Sequence, residues 1–222
     1  MFFMTHSEEN YIKAIFHLAS TGTEVISTNA LAEKMETKPS SVTDMMRRLS
    51  KKGLVHYKKY QGVSLTTLGT KTALSIIRKH RLWEVFLVEK LGFTWDEVHE
   101  IAEQLEHIKS EKLIDKLDEL LDFPKFDPHG DPIPGKNGEF MEHDNQLLSQ
   151  LPIGSVALCV GVKDSSAVFL RFLDKNSIAL GNKMKIIEKE EFDNSLRILL
   201  DERELQISQQ IASNLYVKKI EL

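Results

Sequence analysis

The chain has a single cysteine, Cys159. One thiol cannot close a disulfide within the chain, and no cysteine-based zinc knuckle can form. Its setting, "SVALCVGV", is apolar, which predicts a packing residue rather than a reactive one. Long hydrophobic runs are also lacking, so no membrane-spanning segment is predicted. The opening "MFFMTHSEENYIKAIF" turns polar within a few residues. It lacks the basic start and apolar run of a secretory signal. These absences predict a soluble, cytoplasmic protein with no membrane partner. Hydrolase motifs are missing as well. In "HEIAE", Glu103 stands where a zinc-hydrolase helix needs its second histidine, and "EQLEH" is not His-x-x-Glu-His. There is no Gly-rich phosphate loop and no nucleophile elbow. The expectation is a non-enzyme without a small-molecule substrate.

What is present is enough for real cores. Hydrophobic residues make up 41% of 222, a length that suits two or three compact modules. Net charge is only −4, but its distribution is uneven. From Thr28 to His80 there are eleven basic residues against three acidic ones. Such a segment predicts an anionic partner, or at the least a solvated basic surface. The stretch from Arg81 to Gln150 is acidic and holds four of the eight histidines. Carboxylates with imidazoles suit a divalent cation, although acidic helices also serve solubility.

The patterning predicts an order of elements. Ser7 can cap a helix with Tyr11, Ile12, Ile15, Phe16 and Ala19 at helical spacing. Thr28 then caps the short helix "NALAEKM". Pro39 suits the first turn of the next helix, "SSVTDMMRRLSKKG", and Gly53 is placed to end it. "LVHYKKY" and "VSLTTLG" read as two short strands around a turn containing Gly62. Helix, helix, turn, helix and hairpin make a winged helix-turn-helix. Its second helix enters the major groove with its N-terminal residues at the bases. Those residues are Lys38, Pro39, Ser40, Ser41, Thr43 and Asp44, with Thr28 added from the preceding helix. Arg47, Lys51, Lys58 and Lys59 are placed to hold phosphates of double-stranded operator DNA. A long helix is expected from Thr67 to about Leu91, stopped by Gly92. "TWDEVHEIAEQLEHIKSEKLIDKLDELLDF" reads as one helix, open to a break near Ser110. Phe123 to Gly138 is a loop. Beyond Leu151 the texture is β-rich, with one helix at "SAVFLRFLD".

The stretch "VHEIAEQLEHIKSE" concentrates ligand-type residues. With His99 set at zero on a helical wheel, Glu103 falls at roughly 40°, Glu106 at roughly −20° and His107 at roughly 80°. All four share one face, opposite Val98, Ile101, Leu105 and Ile108. An amphipathic helix needs a polar face in any case. The metal reading gains from accumulation: His80 and Glu84 form another i, i+4 pair, and the loop adds Asp127 and His129.

"RKHRLWEVFL", "VHEIAEQLEH", "DPIPG" and "KPSSVTDMMRRLSKKGLVHYKKYQGVSLTTLG" together resemble the diphtheria-toxin-repressor family, and more nearly its manganese-sensing branch. The resemblance implies a mainly α chain with an α+β part. A winged helix-turn-helix would span 1–74 and a helical metal-binding and dimerisation domain 75–148. A small β-rich SH3-like, FeoA-like domain would span 149–222. It implies a primary metal site at Asn10, Glu103, Glu106 and His107. A secondary site would take His80, Glu84 and His99, joined by Asp127, His129 and Asp164. Hard oxygens with imidazole suit Mn²⁺, with Fe²⁺ as the alternative. Asn10 stands where related sensors carry aspartate or methionine. Lys13 stands where one manganese sensor type has a glutamate serving a two-metal cluster, so two separate mononuclear sites are expected.

The expected function is a homodimeric, metal-activated repressor of metal-uptake genes. Without metal, Glu103 and Glu106 would repel each other and leave the first helix free. A cation would tie Asn10 to the dimerisation helices and fix the spacing of the two recognition helices. The rival reading is a winged-helix regulator answering to a small organic ligand, with the His/Glu face as mere surface.

Overall fold

The structure is a computed structural model that describes residues 4–20, 22, 25–139 and 145–220. The first helix, α1 (His6–Ala19), starts earlier than Ser7 would allow. Thr5 is its cap: Oγ1 accepts the Glu8 N–H at 3.3 Å, and Glu8 Oε2 accepts the Thr5 N–H at 2.8 Å. This reciprocal box satisfies two otherwise orphaned donors, which Ser7 inside the first turn cannot do. A smaller shift, of one residue, occurs at α2 (Thr28–Lys34), where Ser27 rather than Thr28 accepts the Ala30 N–H. α3 (Pro39–Lys51) begins with Pro39 at its first position, as expected, and Gly53 follows at φ +70°.

β1 (Val55–Lys58) and β2 (Gly62–Leu65) pair antiparallel, Val55 opposite Leu65 and Lys58 opposite Gly62. Gly62 opens β2 rather than sitting in the turn. A Cβ there would come within 2.6 Å of the Ile26 carbonyl oxygen, so the close approach demands glycine. Ile12, Ile15, Leu31, Val42, Met46, Leu49 and Val63 are wholly buried among these elements. Each such side chain contributes about 1.5–3 kcal/mol relative to exposure.

α4 (Thr67–Leu91) has the expected bounds, and Gly92 follows at φ +73°. The next segment is two helices, α5 (Val98–Leu105) and α6 (Glu111–Leu120). Unwinding begins at Glu106, five residues before α6, and Ser110 accepts the Leu113 N–H to start α6.

The chain forms two compact units. One comprises Met1–His80, Glu103–Asp115 and Pro134–Phe140; the other comprises Arg81–Ala102, Lys116–Ile133 and Met141–Leu222. The second unit contains a six-stranded sheet in the order β3-β8-β4-β5-β6-β7, with every pairing antiparallel. Its strands are β3 (Gln146–Leu147), β4 (Val156–Val162), β5 (Lys183–Lys189), β6 (Leu196–Leu200), β7 (Arg203–Ile207) and β8 (Leu215–Lys219). α7 (Ala167–Lys175), capped by Ser166, and the short α8 (Gln209–Ala212) complete it. Leu170, Leu173, Met184, Leu196, Ile198 and Leu215 are fully buried in this core, with Cys159 beside them. β7 is an edge strand whose apolar alternation is limited to Leu205, partly buried against the core, and the buried Ile207, so its sequence signal is short. Among the described residues, no helix is long and apolar enough to cross a membrane.

Candidate metal centre

In the first unit, one polar cluster is built from α1, α4 and the turn that ends α5. Glu106 is entirely buried. Its two oxygens lie 2.8 and 2.7 Å from Lys13 Nζ, and Oε2 is also 2.7 Å from His80 Nδ1. Lys13 Nζ also contacts Glu103 Oε1. His107 Nδ1 pairs with Glu9 Oε2 at 2.6 Å, and the His107 ring stacks on His6 with centroids 4.2 Å apart. Asn10 Oδ1 is buried and has no hydrogen-bond partner. Lys79 approaches from α4. Burial pulls its ammonium below the ordinary range, while the Glu9 and Glu106 carboxylates act to raise it.

Glu103, Glu106, His107, His80 and Asn10 therefore belong to the same unit as α2 and α3. The helical wheel grouped Glu106 and His107 with Glu103 for the wrong reason. They follow the last residue of α5, and the turn carries them to the cluster. Glu9 and His6 were missed. The available signal was that Glu8 and Glu9 lie beside the apolar positions of α1, where both are buried. Lys13 lies between Glu103 and Glu106. Its ammonium offsets the expected repulsion between Glu103 and Glu106.

The second unit holds another cluster. Glu84, Asp127 and His129 are buried, with ligand atoms within 4.8 Å of one another. His129 Nδ1 lies 3.7 Å from Glu84 Oε2 and 3.9 Å from Asp127 Oδ1, and His99 Nδ1 lies 3.4 Å from Glu84 Oε1. Asp127 Oδ1 accepts the backbone N–H groups of His129 at 2.8 Å and Asp131 at 3.0 Å, folding the loop around itself. Arg81 Nε stands 3.5 Å from Asp127 Oδ2. Burial, then the charges of Glu84 and Asp131, push the Asp127 carboxyl up to about 7. Burial would lower His129, but the neighbouring Glu84 and Asp127 carboxylates outweigh it and raise the imidazole to about 9. Asp164 is not among the three grouped ligand residues. It accepts the Ser166 N–H at 2.8 Å in the turn before α7.

The DNA-reading candidates form an outward face. Lys38, Pro39, Ser40, Ser41, Arg47, Lys51, Lys58 and Lys59 are exposed, with Thr28 and Thr43 half-buried at its edge. Arg47 pairs with Asp44 at 3.3 Å on the surface, and Lys59 Nζ lies 4.7 Å from the ring centroid of the exposed Tyr60. Cys159 is buried, and burial pushes its thiol up to about 11, as befits a packing residue.

Comparisons with known proteins cover the same regions. Residues 3–63 match the family described as iron dependent repressor, N-terminal DNA binding domain. Residues 66–135 match the iron dependent repressor, metal binding and dimerisation domain, and 146–219 match the FeoA domain. The iron-dependent repressor IdeR of Mycobacterium leprae is 33% identical over 132 residues, 60% of this chain. The match spans 57% of that repressor, little more than half its length. A solved manganese-dependent transcriptional repressor in complex with manganese superposes with a TM-score of 0.86 at 31% identity, covering 96% of this chain and 100% of its own. ScaR with bound Zn²⁺ gives 0.77 at 36% identity, covering 96% of this chain and 99% of its own. Agreement along the whole length of such structures places this chain in the diphtheria-toxin-repressor family of metal-dependent transcriptional repressors.

Proposed function

We propose that this chain is a divalent-cation-activated, DNA-binding repressor of metal-uptake genes, acting as a homodimer. Its primary cation set would be Asn10, Glu103, Glu106 and His107. A bound Mn²⁺ or Fe²⁺ supplies two positive charges and a demand for oxygen and imidazole donors. The observation that carries the reading is the convergence of Glu103 and Glu106 on one cationic group, Lys13 Nζ, from the same helix that carries the buried, unpartnered Asn10 Oδ1. Glu103 and Glu106 are hard donors, which favour Mn²⁺ or Fe²⁺ over thiophilic ions. Glu9 holds Nδ1 of His107, selecting the tautomer whose Nε2 lone pair is free to ligate. Asn10 lies on α1, so its ligation together with Glu103, Glu106 and His107 would restrain α1 and the adjoining recognition helix α3.

A second mononuclear set is read at Glu84, His99, Asp127 and His129, supported by the tight grouping of Glu84, Asp127 and His129. His80 and Asp164 join that set by family resemblance alone. The exposed face from Lys38 to Lys51 with Lys58 and Lys59 would meet operator DNA, hydroxyls and Pro39 at the bases and cations at phosphates. The test is operator binding with Mn²⁺, Fe²⁺, Zn²⁺ or chelator, with bound metal quantified. Metal-dependent binding that is lost in Glu106→Gln supports the reading. Equal binding after complete metal removal overturns it.

A further inference from the structure

We propose that Lys13 is an internal cation that competes for the primary site, so that activation is an exchange on α1 from Lys13 to Asn10. This rests on the reading of Glu103 and Glu106 as cation ligands. An ammonium has three donors. Lys13 reaches three carboxylate oxygens: Glu103 Oε1 and both oxygens of Glu106, the latter at 2.8 and 2.7 Å. Its side chain is 11% exposed and that of Glu106 is 0% exposed, so this is an enclosed pair rather than a surface contact. A metal ion taking those oxygens must displace the ammonium.

Asn10 lies three residues before Lys13 on α1, a spacing that puts both side chains on one face of the helix. Its Oδ1 is buried and unpartnered. One helix face thus carries both a cation that satisfies the acidic turn and a neutral oxygen that can join a replacement cation. The two functions are mutually exclusive at the shared carboxylates. Lys13 holds α1 to the Glu103–Glu106 turn in the metal-free chain, and its occupancy lowers the apparent metal affinity by the fraction of molecules in which the site is free. Lys13 therefore sets the metal concentration at which the chain responds and keeps weakly held divalent cations from triggering it.

Two measurements on the full chain test this. The first is calorimetric Mn²⁺ titration of the metal-free protein, comparing wild type with Lys13→Met and using Glu106→Gln to identify the primary site. Lys13→Met is expected to bind Mn²⁺ about tenfold or more tightly than wild type, equivalent to about 1.4 kcal/mol. The second is mass-spectrometric acylation of lysines in the wild type with and without Mn²⁺, which needs no variant to fold. Lys13 should be protected without metal and exposed to reagent with it, while the solvent-facing Lys116 should not change. Equal or weaker Mn²⁺ binding by a folded Lys13→Met, or Lys13 acylation indifferent to Mn²⁺, overturns the proposal. If either occurs while Glu106-dependent binding persists in the wild type, only the role of Lys13 fails. If no Glu106-dependent binding occurs at all, the metal reading fails with it.

Discussion

Nδ1 of His107 lies 2.6 Å from Oε2 of Glu9, a residue 98 positions earlier in the chain. Both are buried, so neither group can exchange this partner for water at little cost. The contact orients the imidazole and joins α1 to the turn after α5, independently of Lys13. Glu9→Gln preserves shape but removes the charge that favours the Nδ1–H tautomer. Outer-shell losses of this kind typically cost about 10–100-fold in metal affinity. We expect Mn²⁺ affinity at the primary site to fall within that range with the far-ultraviolet circular dichroism spectrum unchanged. Unaltered affinity by calorimetry would remove Glu9 from the site.

The second cluster makes a prediction about protons. Metal ligation needs a neutral imidazole and an ionised carboxylate. His129, facing Glu84, Asp127 and the nearby Arg81 and Asp131, keeps its proton up to about pH 9 in the metal-free chain. Asp127 keeps its own up to about 7. Cation binding near pH 8 should therefore release close to one proton, and more below pH 7 where Asp127 is also protonated. Affinity at this set should rise with pH and level off above about 9. Calorimetry in buffers of different ionisation enthalpy measures the release directly, and no release at pH 8 would contradict the assignment of His129.

The loop that carries Asp127 and His129 depends on one backbone position. Gly130 has φ +87°, and a Cβ there would meet the Val160 carbonyl oxygen at 2.1 Å. Gly154 has a similar φ of +85° but open space around its Cβ position. Gly154→Ala should cost only the backbone strain, about 1–3 kcal/mol. Gly130→Ala should cost more and should also weaken metal binding at the second set, because the loop must leave Val160. Chemical denaturation of both variants separates the two effects, and equal losses would show that the contact is unimportant.

Much of the helical half of the chain was legible because its breakers are strong. Pro39 and Gly53 bracket α3, and Gly92 ends α4, as local chemistry demands. Helix starts were read one or two residues late because Ser7 and Thr28 resemble caps as much as Thr5 and Ser27 do. Only the backbone path decides which hydroxyl meets the free N–H groups. The site was half legible. Glu103, Glu106 and His107 are close in sequence, whereas Glu9, Lys13 and His80 arrive from elements tens of residues away. Helical periodicity carries no information on which distant polar residue will face them. β7 and α8 gave weak signals because they are short: β7 alternates only Leu205 and Ile207, and α8 has four residues.

The wing and recognition helix predict salt behaviour. Lys58 and Lys59 lie at the end of β1 and the start of the turn, exposed. If each neutralises one phosphate, the slope of log affinity against log salt should shrink by about 0.9 per lysine removed. Lys58→Ala and Lys59→Ala should weaken operator and unrelated DNA alike. Ser40→Ala and Ser41→Ala should instead reduce the preference for operator and leave the slope intact. Electrophoretic titrations at several salt concentrations distinguish the two classes. A slope unchanged in the double lysine variant would place the wing off the backbone.

Glu103 offers the sharpest test of metal choice. Its carboxylate shares Lys13 with Glu106, and its side chain is 32% exposed, so a replacement there need not disturb the core. Glu103→Cys exchanges a hard oxygen for a thiolate and should move the activation ranking from Mn²⁺ toward Zn²⁺ and Co²⁺. The variant also loses one of the two carboxylates that hold Lys13, which eases the ammonium's departure for every metal. The two effects differ in signature: easier departure raises all affinities together, whereas the thiolate changes their order. Glu103→Gln supplies the first effect without the second, so dividing the two variants' affinities metal by metal isolates the ligand. The native thiol does not interfere, because Cys159 is buried in β4 with its ionisation pushed up to about 11. A thiolate-to-metal absorption band on adding Co²⁺ should appear in Glu103→Cys and be missing from the wild type. Absence of that band together with an unchanged metal order would take position 103 out of the ligand set.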